Sequence, residues 1–237
     1  VIMPLFGGVA LLSVSVLYPY ADGLKELMMG SDQDDAIMLC GQALMRGDYP
    51  YLHPTYLGNP LSPAPGMLLI FILSIATGWY PLTTLIFLSL TIWIIARTDG
   101  TQTSARFVAY LSLSLVFWYQ LAVGLDLIVM GLLTLLTTIL SAKAQNGRDT
   151  VLLGILSGVL GATRTVFAFL PFMYAFIVFQ RSKRSGMITA IIGTVITSVL
   201  HGVFLLWDHS HYTPLHIFEV GQRALTGYWL PFALVIL

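Results

Sequence analysis

The 237-residue chain is 57% hydrophobic, only 9% charged and formally neutral, against about 25% charged residues in an ordinary soluble domain. With a mean hydropathy of +0.85, this composition excludes a water-soluble globular fold and points to an all-α, polytopic transmembrane protein. Zero net charge gives no reason to expect a nucleic-acid partner, and a single cysteine, Cys40, excludes an intrachain disulfide framework.

Residues 1–20 form the first predicted span. No basic segment precedes it, so it reads as a membrane anchor and not as a cleavable signal. Further spans are predicted near 66–97, 106–123, 125–142, 150–163, 165–180 and 186–207. A polar loop then covers 208–227 and another span starts near 228, which makes about seven to eight spans of the length a bilayer needs. The chain starts at Val1 and stops inside an apolar stretch, Trp229 to Leu237, so it reads as a single membrane module that is a piece of a longer protein. The run 66–97 is too long for one straight span of about 20 residues, and Gly78-Trp79-Tyr80-Pro81 interrupts it. Either a broken crossing or a tight hairpin would fit that pattern.

Loop charge favours the single broken crossing. It puts the loops 97–106, 143–148 and 181–184 on one side, with seven of the eleven basic residues: Arg97, Arg106, Lys143, Arg148, Arg181, Lys183 and Arg184. The other side holds Lys25, Arg46, Arg164 and Arg223, and nine of the eleven acids. The positive-inside rule makes the basic side cytoplasmic, and the acidic side faces outward.

The outer loop 21–66 carries most of the chemistry. Asp32, Asp34 and Asp35 lie just beyond the first span, where charge at the centre of a helix would cost about 2.5–3.5 kcal/mol per residue. Residues 32–46 have Ala36, Leu39, Cys40 and Ala43 at the spacing of one helix face, with Ser31 as N-cap and Gly47 as the C′ residue. This predicts an amphipathic helix, about 22 Å long, lying on the bilayer surface. Acids in its first turn would complement the helix dipole, which alone accounts for Asp34 and Asp35 but less well for Asp32. A Pro/Tyr-rich stretch follows, from Gly47-Asp48-Tyr49-Pro50-Tyr51 to Ser62-Pro63-Ala64-Pro65-Gly66. Proline fixes extended backbone there, and the tyrosines suit an interface or a sugar-stacking surface. Further along, Asp126 opens the span near 125–142. Gly154, Gly158 and Gly161 form a small-residue stripe for close helix packing, and Arg164 ends that span.

These features, in this order, resemble the GT-C superfamily of polyprenyl-phosphate-sugar glycosyltransferases. The chain is similar to the protein O-mannosyltransferases, the lipid A aminoarabinose transferases and the actinobacterial polyprenol-dependent mannosyltransferases. The resemblance rests on an acid after the first span (Asp32), an amphipathic helix ending at Gly47-Asp48-Tyr49-Pro50-Tyr51, and a Pro-rich entry to the next span. Gly124-Leu125-Asp126-Leu127 and the Gly-rich helix ending at Arg164 add to it. The family usually has Lys at that last place, and the Pro-Pro-Leu element is degenerate here.

The resemblance implies transfer of a sugar from a polyprenyl-phosphate donor on the extracytoplasmic face of a membrane, the bacterial inner membrane more readily than the endoplasmic reticulum. Asp32 is then the general base of an inverting displacement. Asp34, Asp35, Asp126 and Tyr51 position the acceptor or the sugar. Arg164 binds the donor phosphate through its forked donors, with Arg46 and Arg223 as secondary phosphate groups. The plain alternatives are an Arg164 snorkelling to the interface and an Asp126 paired for structural reasons. No cofactor is expected, although Asp32-Gln33-Asp34 is a DxD-like tripeptide that a divalent Mg or Mn ion could use. His209, His211 and His216 would make a further metal set, and polar loop surface explains them as well. His201 reads as a buried, hydrogen-bonded histidine, and Trp79, Trp118 and Trp207 as interface belts. The expected partners are the lipid-linked sugar, the bilayer and other membrane subunits. Two other functions fit the pattern: a non-catalytic GT-C-like assembly subunit, and a transporter or scramblase.

Overall fold

The computed structural model describes residues 2–144 and 146–215, and every regular element among them is helical. The first helix, α1, runs over Met3–Leu27. It contains a π turn at Ser13–Leu17, where Tyr18 N–H reaches back to Ser13 O, and closes in a 3-10 turn. Then come α2 (Gln33–Met45), α3 (Pro65–Ile70), α4 (Ile72–Thr77), α5 (Pro81–Thr98), α6 (Thr101–Leu113), α7 (Leu115–Val123) and α8 (Leu127–Lys143). The last are α9 (Gly147–Gly161), α10 (Leu170–Phe179) and α11 (Lys183–Trp207).

Three helices, α1, α5 and α11, are long and apolar enough to cross a membrane, and α6 with α7 makes a fourth if that pair, bent by 74°, is counted as one span. The bend falls at Ser114, whose extended backbone breaks the helix and whose side chain caps α7 by accepting from Phe117 N–H at 3.1 Å. The other apolar runs form shorter helices, 17 residues in α8, 15 in α9 and 10 in α10. A span expected from residue 228 lies outside the described residues.

The long run 66–97 divides at Gly78. Only its second half, α5, has the dimensions of a span. The first half breaks again at Phe71 and lies along α2, with Met67, Leu68 and Ile75 packed against Ile37 and Cys40 in one core. Helix α2 ends as its sequence predicts: Gly47 takes φ +82°, and Asp48 N–H donates to Ala43 O at 3.0 Å. Its inward face differs from the expected stripe. Ala36, Cys40 and Ala43 are buried with Ile37 and Gly41, whereas Leu39 is 40% exposed. The reason is Gly41, where a side chain would collide with Ile75, so α2 presses this edge onto α4 and turns Leu39 away.

Two apolar cores share α8. Ile128 and Leu132 join Phe6, Ala10, Val14, Leu88, Val108, Phe117 and Leu121. Val129, Met130 and Leu133, on the opposite side, join the core of α2–α4 and α9–α11. Trp118 is partly buried against the first core, its ring tilted at 55° to Phe6 and its indole N–H donating to Ser112 O at 2.9 Å, while Trp79 and Trp207 are exposed.

Charged loops sort to opposite ends. Lys143 bonds Asp99 at 3.1 Å, and Arg181 donates to Ser141 O and Ala142 O, which brings the three basic loops together. Helices α9 and α11 run side by side, with Gly154 and Gly158 against Thr189, Ile192, Gly193 and Ile196. A Cβ on Gly158 would sit 2.7 Å from Gly193 O. Gly158→Val should therefore destabilise the protein by about 1–3 kcal/mol through overpacking, measured as a lowered melting temperature in detergent, while the equivalent change at Gly131, which faces open space, should have little effect.

Candidate functional site

The acidic end of the molecule is assembled from four segments: the end of α1, the start of α2, the start of α8 and the loop after α9. Asp126 is the N-cap residue of α8 and is 1% exposed. Arg164 follows α9, and its guanidinium donates to Asp126 Oδ2 at 2.5 Å. Gly66 N–H donates to Ala162 O at 2.9 Å, which docks the Pro-rich entry of α3 onto this same turn. Any side chain at Gly66 would meet the backbone of Val159 and Ala162. Asp126, Arg164, Gln33, Ala36, Ile37, Ser62, Pro63 and Met67 bound a small cleft of about 30 Å³.

The three aspartates of α2 have separate surroundings. Asp32 Oδ2 accepts from Thr55 Oγ1 at 2.6 Å and Asn59 Nδ2 at 2.8 Å. The loop that supplies these donors is closed on itself, Thr55 N–H to Asn59 O and Gly58 N–H to Thr55 O, both 2.9 Å. Asp34 is 3% exposed and accepts from Tyr18 OH at 2.8 Å. Burial pushes its carboxyl up to about 6; the Tyr18 hydrogen bond works against this and neighbouring Asp35 adds to it. Asp35 is also shifted upward by burial, against the attraction of Lys25, which bridges Asp22 at 2.9 Å and Asp35 at 3.4 Å. Ser31 accepts from Gln33 N–H at 3.3 Å, consistent with a capping role, while Asp32 is the N-cap residue by position.

Among the described residues, six buried side-chain polar atoms have no hydrogen-bond partner: Gln33 Oε1, Asp34 Oδ1, Asp35 Oδ2, Tyr80 OH, Asp126 Oδ1 and Arg164 Nε. All six belong to this end. Groups of this kind each carry a desolvation penalty of about 1–3 kcal/mol when left unpaired, so this end is where ordered water or a ligand has partners to find.

No family model, curated protein or solved structure matches the chain.

Other predicted residues lie apart. Arg46 is at the far end of α2, about 20 Å along the helix from Asp32, and pairs with Asp48 in the open. Tyr51 is buried beside the cleft, with its hydroxyl on Pro63 O at 2.9 Å and its ring against Tyr49, Phe204 and Tyr212, so it shapes the wall without presenting its hydroxyl. Arg223 and His216 lie outside the described residues. His211 is exposed and bonds Asp208 at 2.7 Å, and His201, half-buried, bonds Tyr212 OH at 2.5 Å. Asp32 and Asp34 face different partners, and the described residues assemble no group of three or more His, Cys, Asp or Glu around a common point.

Tyr18, Thr55, Asn59 and Tyr80 were not legible as site residues. Tyr18 and Tyr80 look like interface tyrosines in a span, and Thr55 and Asn59 reach Asp32 only by tertiary contact. The one local hint is the Thr55-to-Asn59 turn around Gly58.

An arrangement of this kind can hold an anion at Arg164 and hydroxyl groups at the carboxylates. Because Asp34 takes up its proton at higher pH in the folded state, it stabilises the fold fully below its unfolded value of about 3.8, and this contribution is lost as pH rises through about 6. Asp34→Asn should remove that dependence: thermal melting of the variant should be flatter than wild type between pH 4 and 7, with the variant gaining on wild type by on the order of 2–3 kcal/mol at neutral pH. A steeper pH dependence in the variant would contradict the assignment.

Proposed function

We propose that the protein is a GT-C-like membrane glycosyltransferase, with seven to eight membrane crossings in the full arrangement. It moves a sugar from a polyprenyl-phosphate donor to an acceptor on the extracytoplasmic face of a membrane, most naturally the bacterial inner membrane. The observation that carries this reading is the meeting of Arg164, anchored by Asp126, with the Asp32–Asp35 segment at one end of the molecule. The opposite end is basic, as the positive-inside rule asks of a cytoplasmic face.

The roles follow from the chemistry. Asp32 takes the proton of the acceptor hydroxyl on the carboxylate oxygen that Thr55 and Asn59 leave free. The acceptor oxygen attacks the anomeric carbon from the side opposite the phosphate. The bond from that carbon to the phosphate oxygen breaks, and the lipid phosphate leaves with the electron pair. Arg164 meets its charge in a poor dielectric, where a fixed guanidinium acts most strongly. Asp126 holds that guanidinium in place. The bilayer supplies the donor, and other membrane subunits complete the assembly.

A second reading, a non-catalytic assembly subunit of the same architecture, draws on the double hydrogen bond that makes Asp32 a clamp for the 55–59 loop. A transfer assay separates the two. Purified protein given a polyprenyl-phosphate sugar and candidate acceptors should yield glycosylated product, and Asp32→Asn should lower its turnover by about 10²-fold or more. Full activity in Asp32→Asn would remove the base assignment. Absence of transfer from every donor would favour the subunit, and passage of a substrate across a vesicle membrane without product would favour a transporter.

A further inference from the structure

Helices α1 and α5 run antiparallel. Tyr18 and Tyr80 stack at the acidic end, and Met3 meets Trp93 and Ala96 at the basic end. Between the two helices lies an open apolar groove of about 470 Å³. Phe6, Ala10 and Leu88 form its buried floor, and the exposed Leu11 and Trp93 stand at its rim. Gly7 on one wall and Ser89 on the other leave it unfilled, and a Cβ on Gly7 would meet nothing within 4 Å. From Leu85 to Ala96 the groove follows α5 for about 16 Å, close to half of a hydrocarbon core roughly 30 Å thick. Its length is that of one leaflet.

The basic end of the groove decides what fits it. The Arg97 guanidinium lies over the Trp93 ring, 5.7 Å from its centroid, and makes no hydrogen bond or ion pair among the described residues. The neighbouring carboxylate, Asp99, is bonded to Lys143 at 3.1 Å. A cation held on an aromatic rim, at the mouth of a groove one leaflet long, matches an anionic phospholipid: its phosphate lies at headgroup level and its acyl chain runs inward. A helix fits the space poorly. Spread over its length, the volume gives a section of about 30 Å², well short of the roughly 80 Å² of a helix with its side chains. We propose that the groove holds one acyl chain of an anionic phospholipid from the leaflet at the basic end, with the lipid phosphate on Arg97. The site is separate from the acidic cleft and does not depend on sugar transfer there.

The test uses the protein purified and delipidated in detergent. It is titrated with dioleoyl phosphatidylglycerol and, as the neutral comparison, dioleoyl phosphatidylcholine, and bound lipid is counted by native mass spectrometry. Wild type should hold one phosphatidylglycerol about 5-fold more tightly than phosphatidylcholine, the scale of one basic side chain beside an anionic headgroup. Arg97→Gln should remove that preference. Gly7→Leu and Ser89→Leu, which fill the groove from opposite walls, should each lose the tight site. Without lipid, Gly7→Leu should melt no lower than wild type, because its side chain enters open space. Equal affinity of wild type for the two lipids overturns the inference, and so does a preference that survives Arg97→Gln. Tight binding retained in both groove-filling variants overturns it as well. If wild type is a dimer that Gly7→Leu and Ser89→Leu dissociate, a second copy covers the groove and the inference falls.

Discussion

The Asp126–Arg164 ion pair is the interaction around which the acidic end is organised. Asp126 is buried while the Arg164 side chain keeps about a third of its surface, so the pair relieves the cost of burying the carboxylate without dehydrating the guanidinium fully. Here each charge lies at a favourable helix end. Asp126 stands at the N-cap position of α8, where the dipole is positive, without a side-chain capping bond, and Arg164 follows the end of α9, where it is negative. Helix α8 is the wall shared by both cores, so the pair joins the α1, α5–α7 half to the α9–α11 half at the place where the cleft opens.

Loop residues are carried to this cleft by aromatic packing. Tyr49 donates to Asp208 O at 2.5 Å and to Phe204 O at 3.2 Å, and its ring meets Tyr51 and Trp207 edge-on. Thr213 donates to Leu61 O, and Thr165 donates to Pro214 O at 3.0 Å. The Pro/Tyr-rich stretch is thereby fastened to the end of α11 and the turn after it, and Pro63 reaches the cleft wall from a fixed base. Tyrosines suit this task because each supplies a large apolar ring and one hydroxyl that can find a carbonyl.

The sequence made some of this readable. Gly47 announces the end of α2 because a left-handed residue after a helix is a local requirement. The sorting of charge into two ends follows from the cost of carrying charge through lipid, which acts on every loop alike. The proximity of Asp126 and Arg164 was foreseeable for the same reason. Other features were hidden because lipid and protein interior select the same residues. Residues 65–77 read as half of a span, yet they form two short helices whose Met67, Leu68, Phe71 and Ile75 are buried in the core with α2 while Leu69, Ile72 and Leu73 are exposed. The exposure of Leu39 depends on Ile75, a neighbour distant in sequence. The partners of Asp32 and Asp34 are distant too: the hydroxyls of Thr55 and Tyr18 lie 23 and 16 positions away, and no periodicity connects them.

The π turn in α1 settles how a single helix serves two tasks. Phe6, Ala10 and Val14 face the first core, and Tyr18 faces Asp34. These positions recur every four residues, which in a regular helix of about 3.6 residues per turn rotates the contact line by roughly 40° at each step. Spreading one turn over an extra residue at Ser13–Leu17 takes back part of that rotation. The phase of the helix is reset between its buried lower stripe and its upper end, and the Tyr18 hydroxyl arrives at the carboxylate instead of pointing into lipid. Insertion or removal of one residue in that turn would leave the hydrophobicity of α1 unchanged and yet misalign the acidic end, so the constraint on this stretch is one of angle and not of composition.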